Sequence, residues 1–178
     1  VVANHVLGGG PSSRLFMNLR EDKSYTYGTY SRLNHYQGFG LFRAFANVRS
    51  EVTAEALQEL LAELGRWPEN LTEHASDARA YLGGNFAVGL QTNAQVASNL
   101  AWLTALRVPY DYLERYRDAV DGVADADVAA AARALAPSQP GGRPALSLVL
   151  VGEAAVAIPA AQAVFDEVEV IELGAAAQ

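Results

Sequence analysis

The chain changes hydrophobic period in one place, and that change restricts the fold more than any other feature. From Ser24 to Val48, "SYTYGTYSRLNHYQGFGLFRAFANV" is dense in aromatic and β-branched residues, and the break at "LNHYQG" divides it into two strands of an antiparallel pair. From Thr53 the spacing becomes helical: Ala56, Leu57, Leu60, Leu61 and Leu64 recur at three and four residues, and Gly65 and Pro68 close the stripe. Further helices read from Thr72 to Phe86, Asn93 to Leu106, Tyr110 to Val120 and Asp125 to Leu135, where Pro137 stops the last. The loop "PSQPGGRP" then gives way to "ALSLVLVG", a run of strand length. A helix over Pro159 to Phe165 and the alternating "EVEVIEL" complete the order. Strands grouped around one block of helices predict an α+β fold, a mostly antiparallel sheet covered by helices, rather than strict β-α-β alternation. In the second strand Phe39, Leu41, Arg43, Phe45 and Asn47 share one face and Gly40, Phe42, Ala44 and Ala46 the other. Both are mainly apolar, which predicts burial on both sides.

At 178 residues, with 51% hydrophobic and 19% charged residues, one domain with a sizeable core is expected. A net charge of −7 and a pI near 4.9 argue against a nucleic-acid partner. Arg14, Arg20 and Lys23 make only a small basic cluster. No cysteine is present, so disulfides and thiolate metal sites are excluded, while the compartment stays open. No run of eighteen apolar residues predicts a membrane span. The opening "VVANHVLGGG" has neither signal-peptide features nor an initiator methionine, and it reads as the end of an element already under way, hence as a fragment of a longer chain.

Few constellations carry chemistry. "LGGGPSSRLF", Leu7 to Phe16, lacks the Gly-Lys-Ser/Thr of a phosphate loop, and Pro11 removes an N–H where a phosphate cradle needs one. It reads as a turn with Ser12 or Ser13 capping a helix that carries Leu15, Phe16 and Leu19 on one face and ends near Lys23. His5, His35 and His74 are scattered, with no pair at i and i+4 to hold zinc. No G-x-S-x-G points to a serine nucleophile, and the carboxylate pairs Asp125/Asp127 and Glu167/Glu169 read as solvated faces. Arg20 and Tyr27 remain, seven residues apart across the end of a helix and the start of a strand. An arginine fork and a phenol can converge on a polarised carbonyl, although taken alone the two are an ordinary surface arginine and strand aromatic.

Read as one segment, "LGGGPSSRLFMNLREDKSYTYGTYS", Leu7 to Ser31, resembles the start of the C-terminal domain of the pitrilysin/insulinase family of zinc metallopeptidases, which includes the mitochondrial processing peptidases. The helical section from Tyr81 to Pro137 and "LSLVLVGE", Leu146 to Glu153, are similar to later parts of that domain. The resemblance implies the LuxS/mitochondrial-processing-peptidase-like metallohydrolase fold without its first strand. Residues 1–178 would form a single zinc-free C-terminal domain. Such enzymes enclose a chamber between two related halves, one carrying H-x-x-E-H, a motif missing from this chain. By that likeness the partner half, on the same polypeptide or a separate subunit, binds the zinc. This half binds a peptide or protein substrate and supplies Arg20 and Tyr27 to the scissile carbonyl. "SYTY", Ser24 to Tyr27, stands where relatives have a Gly-Leu-Ala-Tyr-like sequence, which makes Tyr25 the alternative to Tyr27; the separation from Arg20 favours Tyr27. The rival expectation is a proteolytically inactive structural or assembly subunit of the same superfamily. A missing strand would also leave a bare sheet edge through which the fragment can self-associate.

Overall fold

The computed structural model describes residues 1–137 and 146–172. Helix α1 (Val2–Gly8) leads through a glycine turn into α2 (Arg14–Phe16), which continues without a break as a π-helical turn, Met17–Asp22. Strands β1 (Thr26–Tyr36) and β2 (Phe39–Val48) form an antiparallel hairpin. Six helices follow: α3 (Thr53–Arg66), α4 (Leu71–Phe86), α5 (Asn93–Leu106), α6 (Tyr112–Asp121), α7 (Asp125–Leu135) and α8 (Ala154–Gln162). Among the described residues the fold is therefore α+β, with two antiparallel strands and eight helices.

The core is built on α1, whose Val2, Ala3, Val6 and Leu7 are buried and which packs against β1, α4 and α7. Trp67, fully buried just after α3, ties three elements together. Its indole N–H donates to the Ala3 carbonyl at 2.9 Å, and its ring stacks on Phe42 of β2 with centroids 5.0 Å apart. Burying roughly 200 Å² of aromatic surface at about 25 cal/mol per Å² contributes on the order of 5 kcal/mol before entropy is counted. The α3 stripe behaves as its spacing predicts: Ala56, Leu57 and Leu64 are buried, and Leu60 and Leu61 lie partly buried against the same cluster.

The hairpin departs from expectation in its turn and its faces. Pairing continues through Asn34↔Leu41 and His35↔Gly40 to Tyr36↔Phe39, so the break expected over "LNHYQG" narrows to its last two residues, Gln37 and Gly38. Gly38 has φ 88°, which glycine adopts without strain, and the stacked Tyr36 and Phe39 rings, 4.8 Å apart, close the end. Among the described residues only one face is covered by the core. Phe42, Ala44 and Ala46 meet the core, while Phe39, Leu41, Arg43 and Phe45 are exposed.

The late strands differ more. Residues 147–151 and 167–172 pair with nothing among the described residues, so the expected mostly antiparallel sheet is here a two-stranded one. A strand is held by its neighbour's backbone, and neither β1 nor β2 supplies that neighbour. The period of two survives: Leu146, Leu148 and Leu150 are half-buried, whereas Ser147, Val149 and Val151 are exposed. Helix α8 begins five residues before Pro159, which sits inside it instead of opening it, at the cost of one backbone donor. Most of the expected loop, residues 138–145, and the end of the chain, 173–178, lie outside the described residues. No helix among those described is long and apolar enough to cross a membrane.

Candidate functional site

The glycine turn exists to let elements touch. A Cβ on Gly8 would run into the backbone nitrogen and hydroxyl of Ser31 in β1, and one on Gly9 into the ring and backbone of His5. Ser13 takes the N-cap position of α2 with φ −74° and ψ 155°, but its hydroxyl makes no capping bond and is buried without a partner; Met17 N–H instead donates to its carbonyl at 2.9 Å. The turn thus sets the direction of a helix.

That helix is fastened to α3 by a buried carboxylate. Glu63, its side chain 8% exposed, accepts from Arg14 Nε at 3.0 Å, Arg66 Nη2 at 2.8 Å and Asn18 Nδ2 at 3.0 Å. Arg14 also donates through Nη1 to the carbonyls of Arg66, at 2.9 Å, and Glu69, at 3.0 Å. Charge-assisted bonds that use nearly every polar atom are what make a buried ion pair worthwhile.

Beyond Asn18 the helix widens. Lys23 N–H donates to the Asn18 carbonyl five residues back, at 3.0 Å, and Arg20 lies in this π-helical turn. Ser24 then reverses the chain with φ 55°, held by its N–H to the Arg20 carbonyl at 3.1 Å. This is the place where relatives were expected to carry glycine. A left-handed L-residue costs about 1–2 kcal/mol, partly offset by the extra freedom glycine gives the unfolded chain. Ser24→Gly is accordingly expected to stabilise the protein by roughly 0.5 kcal/mol. An unchanged or lowered urea midpoint would show that the turn carries no such strain.

The reversal places Tyr25 and Tyr27 differently. Tyr25 is half-buried, its N–H donating to the Leu19 carbonyl at 2.9 Å. Tyr27 is 95% exposed, at an irregularity in β1 where Thr26 pairs with Val48 but Thr29 with Ala46. The extra residue is a β-bulge, and bulges re-aim side chains. Thr26 fixes it from both sides: its hydroxyl donates to the Asn47 carbonyl at 2.6 Å and accepts from Gly28 N–H at 3.1 Å. Of the two tyrosines considered, Tyr27 is the one that presents its phenol to solvent.

Arg20 is exposed too, but it is seated. Its guanidinium carbon lies 4.6 Å from the centre of the Phe16 ring, and Nε stands 3.6 Å from the Glu21 carboxylate. From Phe16 an aromatic row crosses the uncovered hairpin face: Phe16 to Tyr30, 6.3 Å between centroids, and Tyr30 to Phe45, 6.1 Å. Arg32 closes the far end with its guanidinium carbon 5.8 Å from the Phe45 centroid. Cations over aromatic faces gain about 0.5–1 kcal/mol at exposed sites and keep their donors outward. No hydrogen bond joins Arg20 to Tyr27 among the described residues. The row itself, the π turn and the bulge are features that spacing did not reveal; the signal for the row was the mixture of arginine and aromatics on alternate hairpin positions.

The histidines do not converge. His5 is buried and stacks on Tyr81 with centroids 4.6 Å apart, and burial holds its pKa below the usual histidine range. His35 is exposed near the hairpin tip and His74 is exposed on α4. Among the described residues no group of three His, Cys, Asp or Glu side chains is placed to hold a metal ion, so this donor set does not fit zinc.

Comparison with known proteins agrees with this architecture. Residues 1–79 match the family described as the peptidase M16 inactive domain. The chain is 32% identical over 155 residues to an uncharacterized zinc protease of Streptomyces coelicolor, covering 83% of this chain and 32% of that protein. It is also 32% identical over 104 residues to the uncharacterized zinc protease YmxG of Bacillus subtilis, covering 56% of this chain and 25% of the relative. The crystal structure of a peptidase M16 inactive domain from Pseudomonas fluorescens superposes with a TM-score of 0.65 at 26% identity, over 73% of this chain and 32% of that one. The chain belongs to the pitrilysin-type M16 zinc proteases, as their inactive C-terminal domain. It spans a quarter to a third of the length of these relatives.

Proposed function

We propose that residues 1–178 are one domain, the zinc-free, substrate-binding half of a zinc metalloendopeptidase, and that it works only with a partner half that holds the metal. Arg20 and Tyr27 are its contribution to the reaction site, positioned to hold the scissile carbonyl and the charge that develops on its oxygen. The observation that carries this reading is the pairing of exposure with fixed support. Arg20 leans on Phe16 from a widened helical turn, and Tyr27 is 95% exposed on a bulge clamped by Thr26. Neither side chain gains much from folding, yet the backbone beneath each is held. Preorganised donors of this kind stabilise an oxyanion because their placement is complete before reaction. The alternation over 146–151 further supports a larger sheet in the complete protein, in which a neighbouring strand pairs with the backbone of this run.

The test is cleavage of an internally quenched peptide mixture by this chain together with the half encoded beside or upstream of it and bearing H-x-x-E-H. Cleavage by the pair, lost on chelation and absent from this chain alone, is the expected result. Absence of cleavage by a correctly assembled, zinc-loaded pair would leave the structural or assembly subunit as the reading. Absence of any H-x-x-E-H half would remove the peptidase reading altogether.

A further inference from the structure

The uncovered hairpin face carries a charge arrangement that folding does not explain. Arg32 and Arg43 stand directly opposite each other in the β1↔β2 register, so they project from the same face with Cβ atoms about 5 Å apart. Like charges opposed across strands are destabilising. Both residues are exposed, and neither has an ion-pair partner among the described residues. Nothing nearby in sequence offsets them: Ser24 to Arg49 contains three arginines and a histidine but no aspartate or glutamate, in a chain whose net charge is −7. The same face holds Tyr30, Phe45 and Leu41, exposed by 38%, 39% and 42%. An acidic protein has thus gathered a basic, aromatic strip on the one sheet face its own helices leave open.

We infer that this strip selects the substrate: it receives peptide segments bearing aspartate or glutamate, whose carboxylates lie between Arg32 and Arg43 while neighbouring apolar side chains rest on Tyr30, Phe45 and Leu41. This rests on the substrate-binding reading above and adds the chemical class of the substrate. Two adjacent guanidinium forks offer donors to carboxylate oxygens, and a bound carboxylate removes the repulsion that the empty strip carries. A peptide is favoured over a nucleic acid because the rest of the chain is strongly acidic, and a polyanion reaching beyond the strip would meet that repulsion.

The experiment uses the two halves assembled and three peptides of one sequence frame, in which the positions flanking the scissile bond carry Glu, Gln or Lys. The Glu peptide is expected to be cleaved with kcat/KM at least tenfold above the Gln peptide, and the Lys peptide less well than either. The Glu to Gln ratio should shrink between 50 and 300 mM salt. In Arg32→Gln/Arg43→Gln the ratio should fall to about one, and in Arg32→Lys/Arg43→Lys most of it should return. Anisotropy of the same peptides, labelled with fluorescein, reads affinity independently of cleavage. Glu-selective binding without cleavage would sink the peptidase reading and keep this inference. Equal cleavage and equal binding of Glu and Gln peptides would overturn it, as would a ratio unchanged in the double glutamine variant. Displacement of the labelled Glu peptide by oligothymidine at lower concentration than by unlabelled Glu peptide would also overturn it, in favour of a nucleic-acid site.

Discussion

Glu63→Ala is expected to cost the protein roughly 3 kcal/mol, the largest stability loss of any single polar substitution considered. Glu63 accepts from Arg14, Asn18 and Arg66 while nearly out of water, so alanine removes three charge-assisted bonds at once. Arg14, itself only 16% exposed, then keeps its carbonyl partners but loses its counter-charge. Breaking a buried pair costs about 3–5 kcal/mol in general, and the low end applies because the Arg66 side chain is half in water and can hydrate. The same loss should follow urea unfolding through the fluorescence of Trp67, which lies beside the cluster, as a lower midpoint with an unchanged slope. Glu63→Gln keeps an acceptor for Asn18 and should cost about half as much. A midpoint shift below roughly 0.5 kcal/mol for the alanine variant would mean that Arg14 is satisfied by carbonyls alone, and that α2 does not depend on α3 for its placement.

This dependence bears on what could be read from the chain before its structure. The existence of the hairpin and of α3 to α7 followed from local pattern, because each has its own period and its own stop signals. The fastening of α2 was not legible: Arg14 and Glu63 are 49 residues apart, and nothing local marks either as a partner. The break between the strands was drawn four residues too long for a related reason. Asn34 and His35 look like loop residues, but at an exposed hairpin end polar side chains pair as well as apolar ones, and Gly38 alone provides the positive φ. Burial of both β2 faces was expected from Phe39, Leu41 and Phe45. Those residues stay exposed because, among the described residues, no helix reaches past Tyr30 to cover that side, and whether a face is covered is decided by distant chain. The run at 146–151 fails as a paired strand for the same reason: its period is intact, but pairing requires a backbone that β1 and β2 do not offer. Of the candidate site, Arg20 and Tyr27 were legible as residues through resemblance. The π turn beneath one and the bulge beneath the other were not, since both are backbone irregularities with no composition of their own.

Those irregularities shape the last expectation. In the proposed two-half peptidase, Arg20→Ala or Tyr27→Phe should lower turnover by at least tenfold, about 1.4 kcal/mol of transition-state stabilisation. Loss of one oxyanion donor has reached about 10²–10³ elsewhere, so tenfold is a floor. The form of the loss discriminates between roles. If the two groups act on charge that develops only during reaction, kcat and kcat/KM fall together; if they merely grip the peptide, KM rises and kcat stays. Arg20→Lys tests the fork: it retains the charge but neither the planar donor pair nor the same seat on Phe16, and should recover only part of the activity. Because both side chains are exposed, their removal should change unfolding free energy by no more than about 0.5 kcal/mol, which keeps a folding defect from imitating a catalytic one. Turnover unchanged in both variants would detach Arg20 and Tyr27 from the reaction. The π turn and the bulge would then be features of packing alone, and the exposed strip beside them would have to account for substrate binding without help from either residue.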